Sequence, residues 1–151
     1  MAEINGEDPR IEFIEHLIND CGDSGDVLVY NVGFERGKLF DLIEFSPKHK
    51  IPILKIIERL KDLMVPFRDR MYYTPEMQGS YSIKKVLPAL VPELSYKDLN
   101  IQEGGTASYT FSQMVQGIFE GNFEQTRKDL LAYCELDTLA MVRILEVLKR
   151  V

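Results

Sequence analysis

The sequence predicts an α/β fold that is mostly helical by residue count. A short apolar, β-branched run at residues 26–31 is typical of a strand buried on both faces. Helical patterns stand directly before and after this run, so a helix, a strand and a helix follow one another. The chain has 151 residues, of which 45% are hydrophobic and 28% are charged, which favours one globular domain over residues 1–151.

The first elements are predicted from apolar spacing and from the residues that begin and end them. A helix is expected at residues 9–21, where Asp8 can cap its start and Gly22 ends it. The buried strand at residues 26–31 follows. An amphipathic helix is then expected at residues 34–45.

The rest of the chain is interpreted from the same signals, with Gly and Pro marking the ends of elements. The expected elements are a helix around residues 52–60, a short strand at 62–66, an irregular segment at 66–81, a short helix at 82–90, a hinge-like loop at Gly104 and Gly105, a helix at 106–119 and a long helix at 123–149.

Composition excludes several classes of protein. The net charge of −6 argues against broad, nonspecific binding to nucleic acid or to anionic lipid. No run approaches the roughly 18 apolar residues of a membrane helix, and the acidic start of the chain does not resemble a targeting peptide. With two cysteines and no CxxC motif, we expect no disulfides. Together these features predict a cytoplasmic protein without a membrane partner.

The first candidate site follows the predicted strand, in the sequence Asn31-Val-Gly-Phe-Glu35. Open α/β sheets place their sites at the carboxyl ends of strands, so the Glu35 carboxylate stands in the usual site region. The alternative is that Glu35 only favours the positive end of the helix that follows.

The second candidate site lies in the long helix, where the i, i+4 spacing places Tyr133 and Asp137 on one face. An aspartate beside a buried face is costly unless it is paired or binds a metal. The alternative is a solvated acid on an exposed face. The apolar stripe expected beside this pair consists of Leu130, Cys134, Met141, Leu145 and Leu148.

The other reactive or charged residues either have a structural interpretation or are open to two interpretations. His16 and His49 have no cysteine or serine partner at a useful spacing, and Cys134 is expected to be a buried core thiol. The segment 67–73 mixes aromatic residues with arginine, which suits either a core or the stacking of nucleic-acid bases. A substrate groove or a solvated helix face would explain Lys84, Lys85, Arg127 and Lys128 equally well.

Together the two candidate sites resemble a known pattern. The order Asn-x-x-Phe-acid and then Tyr-x-x-x-Asp resembles the second and third motifs of the tyrosine-bearing DEDD-type 3′–5′ exonucleases, members of the ribonuclease-H-like superfamily. Almost the whole chain resembles a bacterial family of unknown function, usually found as the C-terminal ribonuclease-H-like part of proteins with a RecB-like nuclease segment upstream. The stretches that carry this resemblance are residues 22–31, 34–35, 79–92, 102–107 and 133–143.

The resemblance implies a two-metal phosphodiesterase that uses Mg²⁺ or Mn²⁺. Asp137 matches the last acidic metal ligand, and Tyr133 matches the tyrosine that orients the attacking water or the phosphate. Glu35 stands where the pattern has aspartate and matches a second metal ligand. Its side chain is one methylene longer than that of aspartate. Asn31 is expected to support the strand end by hydrogen bonding.

One motif of the superfamily is absent. The Asp-x-Glu of its first strand does not occur before Asn31, and the acids found there, Glu12, Glu15 and Asp20, lie in a predicted helix. The chain therefore resembles the C-terminal part of such a domain, without its first strands and their metal ligands. The strand at 26–31 is then expected to have an exposed apolar edge that favours self-association.

The function expected from this resemblance is part of a metal-dependent 3′–5′ exonuclease acting on DNA or RNA, inactive as the isolated chain. The alternative is a noncatalytic, degenerate nuclease fold that binds nucleic acid or protein. A third interpretation, a helical adaptor unrelated to nucleases, leaves the motifs around Glu35 and Asp137 unexplained.

Overall fold

A computed structural model describes residues 8–150, and these residues form two compact units, 8–66 and 67–150. Helices account for most of the residues in both units. The predicted domain 1–151 also includes residues 1–7 and 151, which lie outside the described residues. That the whole chain forms one domain stays a prediction.

The unit 8–66 contains helices and two short strands in alternation. In chain order they are α1 (Arg10–Cys21), β1 (Val27–Val29), α2 (Val32–Phe45), a 3-10 turn (Pro47–His49), α3 (Lys50–Glu58), β2 (Leu60–Asp62) and the start of α4 (Val65–Arg68). The first three helices lie close to their predicted positions.

The two strands pair in parallel, with Val27 opposite Leu60 and Val29 opposite Asp62. A strand is found within residues 26–31, as predicted, but it spans only Val27–Val29 and is not buried on both faces, since Val27 and Leu28 are half-buried. The second strand, predicted at 62–66, lies earlier and ends at Asp62, so that prediction is wrong. The chain turns there because the Asp62 carboxylate accepts a hydrogen bond from the Met64 N–H at 2.9 Å. Pro66, taken as the end of a strand, lies in the first turn of α4, where a missing N–H is tolerated.

Five buried aliphatic residues from three helices form the core of the unit 8–66. Burying each side chain contributes on the order of 1.5–3 kcal/mol relative to leaving it exposed. These residues stand at the apolar positions that predicted the helices, so the same spacing explains both the elements and the core. They are Ile14 of α1, Leu39 of α2 and Ile53, Ile56 and Ile57 of α3.

The unit 67–150 is helical in the part of the chain described. Its elements are the last residues of α4, a 3-10 turn (Pro75–Met77), α5 (Ile83–Leu90), a 3-10 turn (Tyr96–Asp98), α6 (Gly104–Val115) and α7 (Phe123–Leu148). Both α5 and α6 pack against α7. The Asn122 side chain caps α7, because its Oδ1 accepts a hydrogen bond from the Gln125 N–H at 3.0 Å.

The packed face of α7 differs from the predicted stripe. Leu130 is buried as expected, but Cys134 is exposed, so the prediction of a buried core thiol is wrong. Successive residues turn by about 100° around a helix, so Cys134 stands about 100° from Tyr133, around which the buried residues of α7 are centred. The buried residues of α7 are Leu130, Tyr133, Leu136, Ala140 and Ile144.

Helix α6 begins at Gly104, where the sequence predicts a hinge-like loop, and this prediction is wrong. A Cβ atom at Gly104 would stand 3.3 Å from the Tyr133 hydroxyl oxygen, so glycine permits this close approach. The helix also ends earlier than the predicted residue 119. It stops at Val115, and Gly117 then takes a positive φ of 70°.

Within residues 8–150, the sheet has only the strands β1 and β2, so one edge of β1 has no strand beside it. The predicted self-association through this edge stays a prediction. None of the helices described is both long enough and apolar enough to span a membrane.

Candidate functional site

The carboxyl ends of the two strands are held together by Asp62. Its carboxylate accepts hydrogen bonds from the N–H groups of Asn31 at 2.9 Å and Val32 at 3.0 Å, besides the one from Met64. Asn31 lies at the end of β1 in the left-handed region, with φ 77°. Asn and Asp tolerate this conformation better than most residues, which explains why an asparagine stands here. Asn31 thus supports the strand end through its backbone.

Glu35 lies in the first turn of α2 and is half-buried. Its N–H donates to the Asn31 carbonyl at 3.3 Å, so its backbone is joined to the strand end. The acidic side chain stands at the positive end of a helix, where a negative charge is favoured. This position fits both interpretations of Glu35, and its role as a metal ligand stays a prediction.

Asp62 is the residue of this region that the sequence analysis missed. It was placed at the start of a strand, whereas it ends one. Burial, and then the Asp62 charge, raise the pKa of the neighbouring Tyr30 phenol. The only local signal is an aspartate that can accept from the N–H two residues later, as Asp62 does from Met64, whereas its partners at the end of β1 lie about thirty residues away and leave no local pattern.

Asp137 lies on the packed side of α7 and is half-buried. The Tyr96 hydroxyl donates a hydrogen bond to Asp137 Oδ1 at 2.6 Å, a short distance typical of a charged acceptor. Tyr96 itself is only 4% exposed, and its ring centroid lies 6.0 Å from that of Tyr133. The carboxylate is therefore held by a buried phenol.

Tyr133 lies one turn before Asp137 and is buried. Burial raises the pKa of its phenol, and the charge of the adjacent Asp137 carboxylate together with a hydrogen bond to it raises the pKa further. The phenol is therefore protonated at neutral pH and serves as a donor. Its hydroxyl lies against Gly104, at the start of α6.

Lys84 and Glu103 complete the surroundings of this pair. The Lys84 ammonium forms a salt bridge with Glu103 and lies 6.0 Å from the centre of the Tyr96 ring. Residues of three stretches that carry the resemblance, 79–92, 102–107 and 133–143, therefore lie around Tyr96 and Tyr133. Sequence reasoning found Tyr133 and Asp137 but not Tyr96, which stands outside these stretches.

The two histidines have local partners. His16 is exposed beside Glu12, with 3.7 Å between Nε2 and Oε1. His49 Nδ1 lies 2.9 Å from the Ser46 hydroxyl, so the expectation that His49 has no serine partner is wrong. Ser46 is 4% exposed and precedes the 3-10 turn that contains His49, which makes this contact part of the local fold.

The acidic residues described do not by themselves fit a two-metal site. Hard divalent cations take about six or more oxygen ligands, several of them carboxylates. Among residues 8–150, no group of three or more His, Cys, Asp or Glu side chains could hold a metal ion. Glu35 lies in the unit 8–66, and Asp137 lies in the unit 67–150.

Comparison with known proteins identifies the class to which this chain belongs: a bacterial domain of unknown function. A family model described as "Domain of unknown function (DUF2779)" matches residues 1–82, and the chain belongs to this family. The matched region includes Asn31, Glu35 and Asp62. The predicted membership of a bacterial family of unknown function is confirmed.

Uncharacterized proteins of two bacterial genera are similar to the chain. One from Ureaplasma parvum is 30% identical over 140 residues, which cover 82% of the chain and 20% of that protein. One from Mycoplasma pneumoniae is 31% identical over 144 residues, which cover 87% of the chain and 22% of that protein. The chain spans about a fifth of the length of these relatives. No solved structure matches the chain.

Proposed function

We propose that the chain forms part of a ribonuclease-H-like, metal-dependent 3′–5′ exonuclease that acts on DNA or RNA within a longer protein. The observation that carries this proposal is the hydrogen bond from Tyr96 to Asp137, beside Tyr133. Metal-ligating carboxylates are themselves held by hydrogen bonds, which set their orientation. A carboxylate anchored by one phenol and adjacent to another has the surroundings of an oriented ligand.

The proposal assigns roles to four residues. Asp137 and Glu35 act as ligands of Mg²⁺ or Mn²⁺, Tyr133 is a donor toward the attacking water or the phosphate, and Asn31 supports the strand that precedes Glu35. Residues 8–150 alone do not fit a two-metal site, so the proposal requires further acidic ligands from the longer protein. The protein acts in the cytoplasm, and its partner is a nucleic-acid end.

A second candidate is a noncatalytic module that keeps a degenerate nuclease fold and binds nucleic acid or protein. Two observations favour it. Glu35 stands where the exonuclease pattern has aspartate, and an Asp137 oxygen is already engaged by the Tyr96 hydroxyl. In this interpretation the contact between Tyr96 and Asp137 serves only to join α7 to its neighbours.

The test is the shortening of 5′-fluorescein-labelled single-stranded DNA and RNA by the longer protein in Mn²⁺. A ladder of successively shorter labelled products is expected, because digestion from the 3′ end preserves the label. Asp137→Asn keeps an oxygen that accepts the Tyr96 bond but removes the charge, and it should slow shortening by at least about a hundredfold.

The matched control is Glu135→Gln, which removes an exposed acid from the same helix and should leave the rate unchanged. Circular dichroism establishes that each variant is folded. Shortening that persists in Asp137→Asn contradicts the role of Asp137. No shortening by the folded wild-type protein favours the noncatalytic module.

A further inference from the structure

Exposed aromatic and basic side chains stand in the segment between α4 and α5 and in the first turn of α5. Met71 is 75% exposed, Tyr73 is 53% exposed and Tyr81 is 48% exposed. Arg70 and Lys85 are also exposed. We call these five residues the loop surface. Large exposed side chains of this kind mark interaction sites when they stand together rather than singly.

Contacts within the segment hold this loop surface in place. The Tyr73 hydroxyl accepts a hydrogen bond from the Gly79 N–H at 3.2 Å, which closes the loop between them. Met77 lies inside this loop and is 1% exposed, so it anchors the loop to the core. The Lys85 ammonium donates to Gln78 Oε1 at 2.9 Å. A surface held in this way loses little conformational entropy when it binds a ligand.

The same segment separates into a buried part and an exposed part. Phe67 is 4% exposed, and its ring contacts the half-buried ring of Tyr72 edge to face, with centroids 6.0 Å apart. These two aromatic residues therefore belong to the core, which was one of the two interpretations of residues 67–73. Tyr73 remains on the surface, which leaves the other interpretation, the stacking of bases, open for it; Tyr81, beyond this segment, is exposed as well.

The charge of this region is opposite to that of the whole chain. Residues 67–85 contain four basic residues and two acidic ones, a net charge of +2 that the salt bridge from Lys84 to Glu103 reduces to +1, whereas the whole chain carries −6. Arg68 pairs with Asp69, but Arg70 forms no ion pair with any described residue. Arg70 also has a positive φ of 56°, an uncommon conformation for a residue other than glycine. The Arg70 guanidinium therefore adds an exposed cation to the segment that carries the exposed Tyr73 ring.

We propose that the loop surface binds single-stranded nucleic acid, with Tyr73 and Tyr81 stacking on bases and Arg70 and Lys85 contacting phosphates. Aromatic rings interleaved with cations recognise single strands, because every unpaired base offers a π-face and every linkage a negative charge. In a duplex those faces are covered by neighbouring bases. The proposal rests on the proposed function for its substrate class, but binding at this surface needs no metal.

The test is the fluorescence anisotropy of labelled oligothymidine and oligouridine, about fifteen nucleotides long, with the 151-residue chain in EDTA. Tyr81→Ala and Tyr73→Ala should each raise Kd about fivefold to a hundredfold. Tyr73→Phe keeps the ring but loses the hydroxyl, and it should bind like the wild type. This variant separates loss of stacking from loss of the bond to Gly79.

Substitutions of the charged residues are expected to change the salt dependence of binding as well as Kd. Lys85→Ala and Arg70→Gly should each weaken binding and lower the slope of log K against log salt by about 0.7, because each removes one phosphate contact. Glycine tolerates the positive φ at position 70, so Arg70→Gly does not strain the loop. Lys97→Ala, which removes an exposed lysine elsewhere in this unit, should leave both Kd and slope unchanged.

Tyr109→Ala is the matched control for the aromatic variants, because Tyr109 is 67% exposed on α6. The proposal is overturned if the folded chain binds neither oligonucleotide, if Tyr109→Ala weakens binding as much as Tyr81→Ala, or if a duplex binds equally tightly. Binding in EDTA and shortening in Mn²⁺ are separate measurements, so the loop surface and the proposed exonuclease can fail independently.

Discussion

Among single residues, Asp137 shows most clearly how the surroundings decide the chemistry of a side chain. A half-buried carboxylate is costly unless hydrogen bonds compensate for the water it has lost. Tyr96 supplies such a bond at 2.6 Å. The i, i+4 spacing predicts that Tyr133 and Asp137 share a face. It says nothing of Tyr96, which lies 41 residues before Asp137.

The raised pKa of Tyr133 makes the stability of the chain depend on alkaline pH. The pKa is higher in the folded chain than the value of about 10 for an unfolded tyrosine. The stability that this phenol contributes is therefore fully present below about pH 10 and is lost as the pH rises above it. We expect the free energy of unfolding in urea to fall above about pH 10, and to fall less steeply in Tyr133→Phe.

The control for this titration is Tyr109→Phe, which removes an exposed phenol from the same unit. An alkaline slope that is identical in Tyr133→Phe and in the wild type would contradict the assignment. Urea unfolding curves followed by circular dichroism, measured at several pH values, provide the comparison.

At the scale of elements, the ends of helices and strands are secured by two charged side chains. Asp62 binds the N–H groups at the end of β1, as described for the candidate site. Arg59, just after α3, donates to the carbonyl groups that follow α1. Its guanidinium bonds to Cys21 and Gly22 at 3.2 and 2.6 Å, and to Ser24 and Gly25 at 2.7 and 2.9 Å. The turn between α1 and β1 is therefore held by a residue more than thirty positions away.

We expect Arg59→Met to lower the free energy of unfolding by about 1–3 kcal/mol, because several carbonyl groups lose a charged donor at once. Methionine keeps much of the aliphatic stem, so the effect reports on the hydrogen bonds. Arg36→Met, at an exposed position of α2, should change the stability by less than about 0.5 kcal/mol. Equal unfolding midpoints for the two variants in urea would contradict the role given to Arg59.

A comparison of predicted and observed elements shows which local signals are enough to place a helix or a strand. The helix at 82–90 and the long helix at 123–149 were predicted within a residue or two, because their apolar periodicity is strong. The strand at 62–66 was misplaced because β2 has only three residues and ends at a side-chain hydrogen bond. Helix α6 was expected after the glycines, but it begins at Gly104, which lies against the Tyr133 hydroxyl.

At the scale of the whole molecule, the chain spans about a fifth of the length of its relatives, and its two acidic candidates lie in separate units. We therefore expect the 151-residue chain alone to show no Mn²⁺-dependent shortening of labelled DNA or RNA, because Glu35 and Asp137 supply too few ligands for two metal ions.

The longer protein, assayed in parallel, is the positive control for this prediction. Circular dichroism establishes that the isolated chain is folded. Robust metal-dependent shortening by the isolated chain, lost in Asp137→Asn, would contradict the prediction and would place all the necessary ligands within these residues.

By itself, the sequence determined the local structure and the nature of the candidate residues. Apolar periodicity predicted most helices and the first strand, and the motifs around Asn31 and Tyr133 singled out Glu35 and Asp137 as candidate residues. These features depend on residues a few positions apart, whose relative placement is set by helix and strand geometry.

Only the tertiary structure decided which groups complete each site. Tyr96 binds Asp137, Asp62 binds the end of β1, Arg59 holds the turn after α1, and the Tyr133 hydroxyl lies against Gly104 at the start of α6. The partners in each pair are about thirty or more residues apart. No local spacing encodes such contacts, because they form only when packing brings distant segments of the chain together.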